Sequence, residues 1–253
     1  MARVSIRLTA SNKQPRLLMH LEYKIKLPDH DWVVAPRHRL NPSVCAGVII
    51  SPEKTGDPKA VVYSGPTFIS ITAETHAKDC DSILNLESFQ EIAKTHDKGR
   101  VKPVVVIISD GGPDENPRYG KVISYAVQHF KVYNLDAIFV ATNALGRSAF
   151  NRVERRMVSL SRELSGLILP HDKYGSHLDN QGRTTDFDLE EQHFEFDGRT
   201  LAEVWGKMVI HDFPVTGEYV LPNEKGAELD DIEQYWYKEH VRKSQYFLQI
   251  VKC

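Results

Sequence analysis

Cysteine is scarce. The three in 253 residues, Cys45, Cys80 and Cys253, stand far apart and form no C-x-x-C pair. That spacing excludes a disulfide framework or a zinc finger within the chain and suits a reducing compartment. Long apolar runs are missing too. None approaches the roughly 20 residues of a membrane span, and the opening Met1-Ala2-Arg3-Val4-Ser5 lacks the apolar core of a secretory signal. A nuclear or cytoplasmic location is therefore expected. No charge sign dominates: 32 Lys and Arg against 34 Asp and Glu leave a formal net charge of −2. No global basic field announces a nucleic-acid partner, so only local clusters can argue for one. With 41% hydrophobic and 26% charged residues, the rest is ordinary globular material, enough for one large core or two small ones.

The most informative stretch runs from Val104 to Leu164. It opens with Val104-Val105-Val106-Ile107-Ile108 and closes in Ser109-Asp110-Gly111-Gly112-Pro113. A short β-branched run ended by Gly and Pro reads as a buried strand, which puts Asp110 where that strand meets solvent. In open α/β sheets, sites form at the carboxyl ends of strands. A helical pattern follows from about Tyr119 to Tyr133, then a second buried strand, Ala137-Ile138-Phe139-Val140. After a loop over 142–148, Val153, Met157, Leu160 and Leu164 recur at helical spacing within 149–164, with Glu154 beside the stripe. A strand-end Asp and an early-helix Glu, one βα unit and a loop apart, can converge on one point.

Elsewhere the pattern is of short strands. Val4, Ile6 and Leu8 alternate weakly, as in an edge strand, and Leu17 to Leu27 alternates as one half-buried strand. Val44 to Ile50 reads as a strand; Ala60–Tyr63 and Thr67–Thr72 read as two, broken by Ser64-Gly65-Pro66. A helix is expected from about Ser82 to Thr95, capped by Asp81 or Ser82. Beyond Leu169 comes a loop, then an acidic 180–200 segment read as a solvated or connecting stretch. A short helix around Trp205, a helical stretch Asp230–Lys243 and a strand Gln245–Val251 complete the chain. Two polar groups could pass for metal clusters. One is Asp29, His30, Asp31 and His38; the other is His171, Asp172, His177 and Asp179. The first matches no known ligand spacing and reads as a polar loop. The second is a ligand set by residue type, but His and Asp are also common in turns, and proximity in sequence does not establish convergence. Trp32, Trp205 and Trp236 could stack on bases, though buried aromatics are commoner.

The run Ile107-Ile108-Ser109-Asp110-Gly111-Gly112-Pro113-Asp114-Glu115-Asn116-Pro117, followed by Asn151-Arg152-Val153-Glu154-Arg155-Arg156, resembles the catalytic core of DDE-type transposases and integrases. Ser11-Asn12-Lys13-Gln14, Leu27-Pro28-Asp29-His30-Asp31, Arg147-Ser148-Ala149-Phe150-Asn151 and Ser244-Gln245-Tyr246 extend the likeness to transposase-derived animal and fungal proteins. The resemblance implies an α/β, ribonuclease H-like mixed sheet flanked by helices. It covers residues 1–170, lacks its first strand, and is followed by an α+β C-terminal extension over 171–253. It makes Asp110 the strand-end acid and Glu154 the acid of an N-x-x-E motif, both metal ligands. The first acid is expected just upstream of Met1, and relatives continue past Cys253, so the chain reads as cut short at both ends.

Cleavage and joining of DNA by this class uses two divalent cations about 3.5–4 Å apart. Mg²⁺, or Mn²⁺ in its place, is held by few carboxylates plus phosphate oxygens. With only Asp110 and Glu154 the bridging position is empty, so metal binding should be weak or lost. Asp114 and Glu115 could substitute, but a turn started by Pro113 is expected to leave them solvated or capping the next helix. Arg147, Arg152, Arg155 and Arg156 surround Glu154 and suit phosphate positioning, against the plainer reading of a solvated helix face. The expectation is a transposase-derived, DNA-binding protein, catalytically impaired because the first acid is missing. A homo-oligomer is compatible with it. The alternatives are an active metal-dependent nuclease or transposase, and a non-catalytic protein-interaction module.

Overall fold

The computed structural model describes residues 2–7, 18–19, 25–26, 32–35, 38–49, 59–67, 72–97, 99–109, 111–112, 114–143, 159–160, 162–163, 169, 173–210, 213–219 and 232–253, with side chains before residue 72 described only at 44–47. Asp110, Glu154, Arg147, Arg152, Arg155 and Arg156 lie outside the described residues, as do Asp29, His30, Asp31, His171 and Asp172.

In chain order the first strands are β1 (Ala2–Arg7), β2 (Leu18–Met19), β3 (Ile25–Lys26), β4 (Trp32–Ala35), β5 (His38–Ile49) and β6 (Lys59–Thr67). Helix α1 (Ala73–Asn85), a 3-10 turn (Glu87–Phe89) and α2 (Gln90–Ala93) precede β7 (Val104–Ser109), α3 (Gly120–Val132) and β8 (Ala137–Thr142). After them come α4 (Phe187–Gly206), β9 (Val209–Ile210), β10 (Phe213–Pro214), β11 (Thr216–Gly217), α5 (Gln234–His240), β12 (Val241–Lys243) and β13 (Phe247–Val251).

The result is a mixed α/β sheet with helices against it, as the alternation of strand and helix patterns required. The main sheet has nine strands in the order β11-β6-β5-β1-β7-β8-β13-β12, with β4 added on β5. Strand β5 runs antiparallel to β1 and β6; β7 runs parallel to β1 and β8; β13 closes antiparallel on β8. Strands from beyond residue 170 thus add to both ends of the same sheet.

The β-branched run of β7 suits a strand paired on both sides. Helix α3 buries Ile123, Ala126, Val127 and Phe130 against Val105, Ile138, Val140, Leu248 and Ile250. Leu248 and Ile250 are wholly buried, each worth roughly 1.5–3 kcal/mol against exposure.

Several expectations need correction. Ala2–Arg7 is no edge strand; it lies between β5 and β7. The alternation over 17–27 belongs to two short strands, since Leu18 pairs with Lys26 and Met19 with Ile25. Strand β6 runs unbroken through Ser64-Gly65-Pro66, with Pro66 opposite Pro42 of β5. Facing prolines fit an antiparallel ladder at a site where neither strand donates an N–H to the other.

Helix α1 starts at Ala73, well before Ser82. Thr72 is its N-cap in a reciprocal capping box with Thr75. Its buried stripe includes His76 and Asp79, so counting apolar residues could not find it. The same holds for the acidic 180–200 segment, which is most of α4. Asp186 caps it by accepting from Leu189 N, and its buried face includes His193, Asp197 and Gly198 with Phe194, Leu201 and Trp205. Of the helical stretch expected over Asp230–Lys243, the described residues are helical from Gln234 to His240, and Val241–Lys243 is strand.

Candidate functional site

The parallel strands β1, β7 and β8 end on one edge of the sheet. Ser5 is in register with Ser109, and Ser109 with Thr142. Asp110 is the next residue in sequence. Beyond it Gly111 takes φ 84°, and a Cβ there would stand 3.1 Å from Thr142 Cβ. Both the left-handed backbone and the close approach call for glycine.

Asn116, 6% exposed, organises the turn that follows. Its side chain donates to Gly111 O and accepts from Arg118 N, while its own N–H and that of Glu115 donate to Gly112 O. The turn buries Asp114 and Glu115 instead of leaving them solvated, at 8% and 5% exposure. His76 of α1 is the reason. Its Nε2 is 3.0 Å from Asp114 Oδ2 and 3.1 Å from Glu115 Oε1. A buried carboxylate requires such a partner, and α1 supplies it only because it begins at Ala73.

His76, Ser109, Asp114, Glu115 and His129 line a cavity of about 60 Å³ whose other walls are apolar. It has room for a few waters and not for a nucleotide. Below it, His129 Nε2 lies 3.1 Å from Asp81 Oδ1, to which Tyr133 OH also donates at 2.7 Å. Burial first, then the Asp81 carboxylate, pushes the Tyr133 phenol far above its ordinary range.

Three polar atoms on this edge have no hydrogen-bond partner among the described residues: Ser109 Oγ, Thr142 Oγ1 and Asn143 Nδ2. Buried polar groups are nearly always paired, and here three orphans gather at the carboxyl ends of β7 and β8. No group of three His, Cys, Asp or Glu among the described residues is placed to hold a metal ion. His76 Nε2 instead contacts Asp114 and Glu115 directly.

Of the second candidate cluster only His177 and Asp179 are among the described residues, and each has a partner elsewhere. Asp179 Oδ1 accepts from Gln181 N and Arg183 N within its own turn. His177 turns to α4, where its Nδ1 is 2.9 Å from His193 Nδ1. Tyr174 N donates to His193 Nε2 at 3.1 Å. His193 as a neutral ring therefore carries its proton on Nδ1 and donates it to His177. Of the tryptophans, Trp205 is 2% exposed and donates to Leu160 O, so it offers no face to a base. Trp236 packs against Phe130 and His240.

Sequence reasoning missed His76, Asn116 and Thr142. The only local signal for His76 was the Thr72-x-x-Thr75 cap, which would have started α1 early enough to carry it. No protein-family model, no curated protein and no solved structure matches the chain.

Proposed function

We propose that the chain is a ribonuclease H-like, DDE-type derived nucleic-acid-binding protein with an incomplete set of acids. The observation that carries the reading is the composition of one sheet edge. Asp110 follows in sequence directly on β7, the strand paired in parallel on both sides, and the carboxyl ends of β7 and β8 carry the orphaned Ser109, Thr142 and Asn143 side chains. An antiparallel meander, β1, β5 and β6, leading through α1 into parallel β7 and β8 is what such a core requires.

On this reading Ala2–Arg7 supplies the strand thought to be lacking. What is lacking is its acid, because Ala2-Arg3-Val4-Ser5-Ile6-Arg7 contains no carboxylate beside β7. Asp110 and Glu154 remain as carboxylates, with the Ser109 and Thr142 hydroxyls as further hard oxygens. That donor set fits a Mg²⁺ or Mn²⁺ ion held mostly by water. Such an ion, when bound, would polarise a phosphate oxygen. His76 holds the Asp114–Glu115 turn and so fixes the backbone next to Asp110. Arg147, Arg152, Arg155 and Arg156 would position phosphates, giving binding that weakens steeply with salt.

The test is a Mg²⁺ or Mn²⁺ titration with a labelled DNA duplex, on the wild type, Asp110→Ala and Glu154→Ala. The expected result is salt-dependent DNA binding in all three, with weak metal binding lost in both variants and no turnover. Metal-dependent nicking by the wild type alone would make it an active nuclease. No DNA binding by any of the three would overturn the reading in favour of a protein-interaction module.

A further inference from the structure

We propose that the tip of the β12–β13 hairpin binds single-stranded nucleic acid, with Tyr246 as a base-stacking surface and Lys243 as a phosphate partner. The proposal rests on the nucleic-acid reading above and adds a site to it.

The tip stands on the candidate edge. Thr142 N donates to Tyr246 O at 2.9 Å, which pins the hairpin to the carboxyl end of β8, next to the orphaned Thr142 hydroxyl. Two strand spacings separate β13 from β7, about 10 Å. Stacked nucleotides rise about 3.4 Å each, so a base on Tyr246 would lie about three nucleotides from a phosphate at the carboxyl end of β7.

The tip also has the chemistry. Tyr246 is 39% exposed and Phe247 40% exposed. Phe247 stacks on Phe139 of β8, ring centroids 6.0 Å apart, whereas Tyr246 has no ring partner among the described residues. Lys243 is exposed, and the neighbouring Ser244 and Gln245 bring no acid to oppose a phosphate. Aromatic rings beside free cations are what single-strand binders use.

The tip is held in place. Ser244 N donates to Phe247 O at 2.7 Å, and β13 is anchored by wholly buried Leu248 and Ile250. A preorganised ring loses little entropy on binding. Guarding the outer edge of β12, last in the strand order among the described residues, accounts for a charge there, and Arg242, folded onto Lys238 O at 2.6 Å, meets that need. It does not account for an exposed aromatic at the tip.

The experiment is fluorescence anisotropy of labelled oligo-dT, oligo-U and a DNA duplex across a salt series, using the full chain, Tyr246→Ala, Tyr246→Trp and Lys243→Gln. Tyr246 binds Thr142 through its backbone carbonyl, so these changes leave the fold in place, which a thermal melt checks. Tyr246→Ala should weaken binding about tenfold and Tyr246→Trp should retain it. Lys243→Gln should lower the salt slope by about 0.7. If the wild type binds while Tyr246→Ala and Lys243→Gln bind equally well with unchanged slope, the hairpin proposal is overturned and the nucleic-acid reading stands. If the wild type binds neither oligo-dT nor oligo-U nor duplex, both fall together. The oligo-U series tells whether the single strand is DNA or RNA.

Discussion

The two ends of the parallel strands are built differently. At the amino ends of β7 and β8 the polar groups described are tied. Pro103 O accepts from Asp136 N and Ala137 N, Lys252 N donates to Asp136 O, and His240 Nδ1 lies 2.9 Å from Val251 O. Asn134 takes the left-handed φ of 48° and closes α3. At the carboxyl ends, Ser109 Oγ, Thr142 Oγ1 and Asn143 Nδ2 are buried without partners among the described residues. Satisfied polar groups stabilise a fold; unsatisfied ones cost it stability and persist where something else depends on them. The contrast assigns stability to the amino edge, and on the proposed reading leaves the carboxyl edge for a ligand.

The largest effect expected lies at the tied edge. Leu135, 1% exposed, packs between α3 and β8, so Leu135→Ala should destabilise by about 2–5 kcal/mol in urea unfolding. A loss under 1 kcal/mol would mean that this edge is not where stability is held. Next comes the brace behind the carboxyl edge. His76→Ala strips the buried Asp114 and Glu115 of a shared partner and should cost about 1–3 kcal/mol. His76→Gln, which keeps a donor, should recover part of the loss. If His76→Ala matches wild type, the turn holds itself and α1 does not position it.

Alkali probes the clamp between α1 and α3, and Tyr219, whose ring lies under Arg199 of α4. Burial raises the phenols of Tyr133 and Tyr219, the latter to about 12. The unfolded value is about 10. A raised folded value means the native state keeps its protons longer, so this stability is full below pH about 10 and is lost as pH rises through the folded values. Urea midpoints should fall between pH 9 and pH 12, and Tyr133→Phe with Tyr219→Phe should flatten that fall. An unchanged slope in the double variant would assign the alkaline loss elsewhere.

At the carboxyl edge the prediction reverses sign. Thr142→Val keeps the side chain's shape and removes an orphaned hydroxyl, so stability should stay level or rise by up to about 1 kcal/mol. The metal response should weaken in the same variant. A loss above 1 kcal/mol would show that the hydroxyl is a structural donor, and the contrast between the edges would break.

The parts legible in the sequence were those whose residues advertise themselves. The β-branched run of β7, the apolar stripe of α3 and Ala137–Val140 came out within a residue or two, because burial there is purely apolar. Helices α1 and α4 did not, because their buried faces carry His76, Asp79, His193 and Asp197, which a hydrophobic pattern counts as solvent-facing. The central place of β1 was hidden for another reason: a weak alternation says which residues share a face and nothing about which strands lie alongside. Asp110 and Glu154 rest on pattern and resemblance alone. The orphaned hydroxyls could not be foreseen, since an unmet partner is a property of three dimensions.

The smallest effect tests how the tied edge holds. Lys252 Nζ lies 2.8 Å from Asn134 Oδ1 and 3.6 Å from Asp136 Oδ1, a contact that looks like a latch across the end of β13. Both charged side chains are about half exposed, at 47% and 61%. Water already solvates them, and ordering a long lysine opposes the attraction. Lys252→Ala should therefore cost no more than about 0.5 kcal/mol, and less in high salt. The backbone bond from Lys252 N to Asp136 O survives the change. A loss above 1 kcal/mol would place the edge's stability in its side-chain charges instead of its backbone ladder and buried leucines.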